Sequence, residues 1–331
     1  MKLEDICELA TEIANEHDSD IYFYAGAIGR PFDDKVIDEV RGVKRRTNVI
    51  LILCTFGGDP SAGYRIARCL QQKYEKFSIL IAGTCKSAGT LVTVGAHEIV
   101  MSDLGEMGPL DVQVDKKDEL WEADSGLTVL SAIKALEEKS FDLFEACFLN
   151  LKRRSGGQIT LKTATEVASK LAIGTVAPII AQIDPMYVGE ASRAMNIGLD
   201  YGSRLSEISK NAYDDTLQKL ANSYPSHAFV IDREEAKELF LKVREPSEKE
   251  SLLLDSLGSD ARYPSQEPMF GYLSSSLEEV AHEGNEGENS ERRETSNGNS
   301  TPASEDPESG TEGGMRAGEL KQILGRRGIK A

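Results

Sequence analysis

Two short stretches hold the residues whose types and spacing could perform nucleophilic chemistry. In the first, Ser87 and Ala88 lie between Gly83 and Gly89, where an apolar run at residues 77–82 gives way to a second at 91–96. The first run reads as a buried strand and the second as the opening turns of a buried helix. A serine at such a junction presents its hydroxyl to a cleft, and backbone N–H groups at the helix start face developing negative charge. That geometry suits a nucleophile, as in the strand-turn-helix elbows of hydrolases, although Cys85 replaces the first glycine of the strict Gly-x-Ser-x-Gly form. Taken alone, a serine in such a turn is more often structural than catalytic. The second stretch is Gly57-Gly58, about thirty residues earlier and also at the end of an apolar run. A glycine-rich turn lets the Gly58 N–H point into the cleft beside Ser87, with the Ala88 N–H as the natural second donor. Two such donors make an oxyanion hole, and losing one typically costs about 10²–10³ in rate.

The elements that must position these turns follow from periodicity. Leu3, Ile6, Cys7, Ala10, Ile13 and Ala14 recur at helical spacing, so residues 3–17 form an amphipathic helix. Residues 21–24 read as a short strand and 33–46 as a helix with Val36, Ile37 and Val40 on one face. Residues 49–54 are apolar without alternation, which fits a strand covered on both sides, the habit of parallel sheets. A helix follows Gly63, and a further strand occupies 98–101. Strands and helices thus alternate, and both glycine-rich turns fall at the carboxyl ends of strands, where open α/β sheets bind ligands. Residues 125–223 are helical by pattern, interrupted at Gly156-Gly157, at Pro178 and at Asp184-Pro185. Residues 228–231 read as a last short strand, after which Asp232 caps a helix.

Composition narrows the function classes. The 331 residues are 40% hydrophobic, enough for a sizeable core, and no apolar run approaches the ~20 residues of a membrane helix. The N-terminus begins acidic and amphipathic, without the apolar region of a signal peptide. The five cysteines (7, 54, 69, 85 and 147) are scattered and show no C-x-x-C pairing, so neither a disulfide framework nor a zinc site is expected. A reducing, cytoplasmic setting is the economical inference. No cofactor is implied: acidic residues at 104–124 lack metal-ligand spacing and no Walker A lysine motif exists, so any ATPase would be another chain. The formal charge of −17 leaves the main body acidic, which argues against non-specific nucleic-acid binding there.

Several motifs together resemble the Clp protease/crotonase superfamily. They are Phe56-Gly57-Gly58 with Gly63, and Lys86-Ser87-Ala88-Gly89. Further along come Gly108-Pro109-Leu110-Asp111-Val112-Gln113, Asp184-Pro185 with Gly189-Glu190-Ala191, and Ser226-His227-Ala228-Phe229-Val230-Ile231 leading to Glu235-Ala236. The nearest branch is similar to the Clp-like serine dehydrogenase proteinase family, related to signal peptide peptidase A. The resemblance covers roughly residues 20–245. It implies an α/β fold built as a spiral of ββα units, with Ser87 as nucleophile, Gly58 and Ala88 as oxyanion amides, and a homo-oligomer. It departs from the pattern at Met107, which stands where the Clp protease carries its base histidine, and at Phe240, where relatives have glycine.

A serine hydroxyl is a poor nucleophile without a base. His17 ends a surface-type helix and His282 lies near the C-terminus, while His97 reads as a helix C-cap. His227 lies eight residues before Glu235-Ala236, close to where the Clp protease carries its triad aspartate. If the fold is shared, His227 comes near Ser87 and Asp111 can fix its tautomer. Signal peptide peptidase A uses a lysine instead. Lys134 and Lys139 lie at the expected distance, although Glu137 and Glu138 mark a charged face. Lys86 is set aside because successive side chains point apart.

The expected organisation is an N-terminal helix (1–19), a Clp-like serine peptidase domain (20–245), an extension (246–274), a disordered acidic linker (275–314) and a short basic amphipathic helix (315–331). The last resembles the first helix of a SAP-type motif and could dock a partner or substrate. Three functions stay open: a serine peptidase hydrolysing peptide or protein substrates, a catalytically inactive oligomeric scaffold, and a crotonase-type acyl-CoA enzyme.

Overall fold

Apolar runs without alternation demand cover on both faces, and the fold supplies it. The computed structural model describes residues 3–43, 45–110, 113–115, 123–226 and 228–274. The chain begins with α1 (Leu3–His17), then alternates through β1 (Ser19–Ala25), α2 (Phe32–Val43), β2 (Asn48–Cys54), α3 (Pro60–Lys73) and β3 (Phe77–Ile81). Next come β4 (Thr84–Cys85), α4 (Ala88–Val94), β5 (Glu98–Met101) and β6 (Glu106–Met107). A short hairpin, β7 (Gln113–Asp115) and β8 (Ala123–Ser125), precedes three long helices: α5 (Gly126–Arg154), α6 (Leu161–Ile180) and α7 (Pro185–Ser209). The described part ends with α8 (Thr216–Asn222), α9 (Arg233–Leu239), β9 (Val243–Arg244), α10 (Glu248–Leu257), α11 (Ser259–Arg262) and β10 (Met269–Tyr272).

The main sheet runs β10-β1-β2-β3-β5-β9, parallel throughout except for the antiparallel edge strand β10. Register alternates the strand residues between two cores. Tyr22, Leu51, Ile79 and Ile99 share one core with α2, α3 and α4. Ile21, Ile50, Leu80 and Val100 share the other with α1, α10 and α11. A second row of short segments lies beyond the carboxyl ends of the main strands. There β4 pairs with β6, Thr55 bridges Cys85, and Met107 bridges Ile231.

Four details differ from the sequence reading. Residues 228–231 do not form a strand; Ile231 alone pairs, exchanging two hydrogen bonds with Met107 at 2.9 Å each. Pro178 does not interrupt α6: the helix runs through it for two more residues to Ile180, without the bond that the missing N–H would have made. His97 does not cap α4, whose C-cap is Gly95. Its amide instead donates to the Phe77 carbonyl at 2.7 Å, and its Nδ1 accepts from the Phe77 N–H at 3.2 Å, while burial pushes its pKa down. Finally, residues 246–274 share the main sheet and core: β10 forms its edge beside β1, and α10 and α11 complete, with α1, the cover of its second face. Among the described residues no single helix is long and apolar enough to cross a membrane; α6 and α7 pass that test only jointly, bent by 77° at their junction.

The join at 244–250 is electrostatic. Glu250 is fully buried and receives two bonds from the Arg244 guanidinium (2.7 and 2.8 Å) and one from the Ser247 N–H (2.7 Å). Burial alone would raise its pKa, but Arg244 and the Ser247 amide outweigh it and hold the carboxyl below its usual range. Replacing Glu250 by Ala leaves the guanidinium the Glu245 carbonyl at 3.0 Å and Glu98 at 3.7 Å; since Arg244 also remains 34% exposed, the expected loss in urea denaturation is at the low end for a broken buried pair, about 3 kcal/mol. A depressed pKa stabilises above the unfolded-state value, so the advantage of wild type over Glu250→Gln should hold above about pH 4.3 and shrink as pH falls below it.

Candidate active site

The parallel pairing of β2 with β3 sets their two following turns side by side. In the first turn, the Thr55 hydroxyl accepts from the Gly57 N–H at 2.9 Å. Gly57 and Gly58 adopt φ of 109° and 139°, which side-chain-bearing residues rarely occupy. Ile28 bridges Gly58, donating to the Gly57 carbonyl and accepting from the Asp59 N–H, both at 2.8 Å. In such a parallel bridge, the N–H of Gly58 itself is directed away from Ile28. A Cβ at Gly58 would stand 2.0 Å from the Ile28 carbonyl oxygen, so the turn requires glycine.

The second turn crosses the first at Ser87. A Cβ at Gly57 would lie 2.6 Å from the Ser87 Cβ and 3.1 Å from the Ala88 nitrogen, so nothing but hydrogen fits between the turns. Ser87 holds φ 52° and ψ −114°, a conformation that costs a non-glycine residue about 1–3 kcal/mol. It is 6% exposed and immediately precedes α4. Among the described residues, neither the Gly58 nor the Ala88 N–H finds a hydrogen-bond acceptor. One hydroxyl and two available amides therefore come from adjoining turns. Chemically, such a group can attack a carbonyl carbon and hold the resulting oxyanion.

The neighbouring thiol is a poor rival. Cys85 is fully buried, and burial pushes its pKa up to about 12, against smaller lowering effects from Thr93 and Lys86. Met107, at the position where a base histidine is absent, is also fully buried and has its backbone engaged by Ile231.

Of the sequence-predicted residues, the structure brings together Ser87, Ala88 and the Gly57-Gly58 turn. Asp111 and His227 lie outside the described residues, as does the segment 275–331. Lys134 and Lys139 lie exposed on α5, and Lys139 pairs with Asp142 at 3.0 Å. Neither has the desolvation that a lysine base requires. One residue was undervalued by the sequence reading. Lys86 does point away from Ser87, but it is buried and reaches across to the carbonyls of Ala228 and Phe229 at 3.3 and 3.1 Å. Its signal was a lone charge in a run of small and apolar residues. Among the described residues, no group of three or more His, Cys, Asp or Glu side chains could hold a metal ion.

No family model matches the chain. Two curated relatives are uncharacterized proteins of Methanocaldococcus jannaschii. MJ1495 is 27% identical over 157 residues, covering 43% of this chain and 50% of the relative. MJ0137 is 25% identical over 109 residues, covering 33% and 35% respectively. The chain thus spans half or less of the curated relatives it matches. Among solved structures, a mutant of the 1510-N membrane-bound stomatin-specific protease shares 18% identity over 45% of this chain and 67% of its own. Its TM-score of 0.28 is too low to identify a shared fold.

The strain at Ser87 is measurable. Ser87→Ala and Ser87→Gly both remove the hydroxyl, but only glycine relaxes at positive φ. The glycine variant should be more stable than the alanine variant by about 1 kcal/mol in thermal or urea unfolding. Equal stability of the two would show that the conformation is unstrained.

Proposed function

We propose that this chain is a serine peptidase of the Clp-like type. The observation that carries the reading is the close approach of the two turns, which packs Gly57 against a backbone-strained Ser87 at the start of α4. In this reading the Ser87 Oγ bonds to a peptide carbonyl carbon, and its proton passes to the imidazole of His227. The Gly58 and Ala88 amides hold the oxyanion. Collapse of the tetrahedral species breaks the C–N bond, and the leaving amine takes the proton from His227. Water then hydrolyses the acyl-serine by the same path, returning the serine. Asp111 fixes the imidazole tautomer. Support for the histidine comes from Lys86, which holds the two carbonyls directly following position 227 beside the serine turn.

The same proposal carries the ββα spiral, a homo-oligomeric assembly, a cytoplasmic setting, a peptide or protein substrate, and a docking role for residues 315–331. The row of short pairings at Thr55, Cys85, Met107 and Ile231 supports the spiral. The buried Met107 favours one rival, a scaffold of the same fold without catalysis, because the loop position supplies no base.

A fluorophosphonate probe separates them. The full chain should be labelled at Ser87, with labelling abolished in Ser87→Ala, reduced at least 100-fold in His227→Ala, and unchanged in Lys134→Ala and Lys139→Ala. An unlabelled wild type would leave the scaffold. Labelling that survives His227→Ala but disappears with either lysine would move the base to α5.

A further inference from the structure

Lys86 has no part in the proposed chemistry, yet its environment is built around its charge. It is 7% exposed, and an ammonium has three donors and no acceptor. Three oxygens meet it: the Phe229 carbonyl at 3.1 Å, the Ala228 carbonyl at 3.3 Å and Glu106 Oε1 at 3.5 Å. Glu106 Oε1 also accepts from the Thr84 hydroxyl at 3.1 Å, which fixes the anion on the strand that leads to Lys86. The lysine stem passes over Gly108, where a Cβ would stand 3.0 Å from its Cδ. The Gly108 carbonyl is in turn held by the Thr90 hydroxyl at 2.8 Å. An unpaired buried ammonium costs several kcal/mol, so this set of partners is a specific arrangement rather than a passive burial.

The partners share a location. Ala228 and Phe229 immediately follow position 227, and Ile231 is tied to Met107 a few residues further on. A side chain rooted next to Ser87 therefore grips the segment that carries the proposed base.

We infer that Lys86 is a positioning residue: its ammonium clamps the backbone at 228–229 to the serine turn and so sets the approach of position 227 to Ser87. This rests on the serine-nucleophile reading above, and the test separates the two.

Four variants of the full chain suffice: Lys86→Met, which keeps length and bulk; Lys86→Arg, which keeps charge and donors; His227→Ala; and the Lys86→Met/His227→Ala double. Two readouts are compared, the rate of fluorophosphonate labelling at Ser87 and amide hydrogen exchange in peptides covering 224–231, with 248–257 as internal reference. Lys86→Met should slow labelling at least tenfold and speed exchange in 224–231 at least tenfold, leaving 248–257 unchanged. Lys86→Arg should restore labelling to within about threefold of wild type. On the His227→Ala background, Lys86→Met should cost less than twofold more, because the step it supports is already lost. A further tenfold fall on that background would show that Lys86 acts independently of position 227 and overturn the inference. Unchanged exchange at 224–231 would overturn the clamp. If wild type is not labelled at all, the nucleophile reading fails and exchange alone decides the clamp. Should Lys86→Met not fold, Glu106→Gln removes only the anion. It should shift both readouts about threefold in the same directions, and no change in either would overturn the inference.

Discussion

The contact between Gly57 and Ser87 is the constraint on which the site depends. Two backbone turns approach until no atom larger than hydrogen fits between them, and neither can retreat. The first is held by Ile28 and by the Thr55 hydroxyl, the second by the pairing of Thr55 with Cys85 and by the start of α4. The strain at Ser87 persists because the surrounding hydrogen bonds over-determine it. A serine hydroxyl and two amides are thereby arranged by main chain on the ends of regular elements, which positions them more tightly than loop side chains would.

That rigidity is supplied from below by a sheet buried on both faces. The helices covering one face follow their strands in the chain, whereas the opposite face is covered by the two ends of the described chain, α1 on one hand and α10 and α11 on the other. Two ion pairs with a buried partner join separate elements of this frame. Glu250 with Arg244 fastens the closing helices to the edge of the sheet, and Lys86 with Glu106 fastens the segment at 228–229 to the serine turn. Each ion is satisfied by several oxygens or nitrogens, the condition under which a buried charge is tolerated.

Much of the frame was legible because burial on both faces leaves an unmistakable trace. The apolar runs at 49–54 and 77–82 have no other economical explanation, and the helical spacing in α1 and α2 is equally direct. The segments that escaped notice are those whose reason lies elsewhere in the chain. β4, β6 and β9 have two residues each, too few to show a period. β10 owes its existence to β1, with Tyr272 opposite Tyr22, a partner no local pattern can announce. His97 was misread as a cap because its position after a helix is visible in sequence while its bond to Phe77 is not.

The sequence by itself determined the alternation of strands and helices, the placement of both glycine-rich turns at strand ends, and a serine at the second of them. Those are properties of composition and spacing, which record how each segment is covered. Only the tertiary structure decided which groups meet: Gly57 against Ser87, Ile28 against Gly58, and Lys86 against the carbonyls of Ala228 and Phe229. Such contacts join the ends of separate strands, and periodicity encodes the face a residue presents but not the neighbour it finds there.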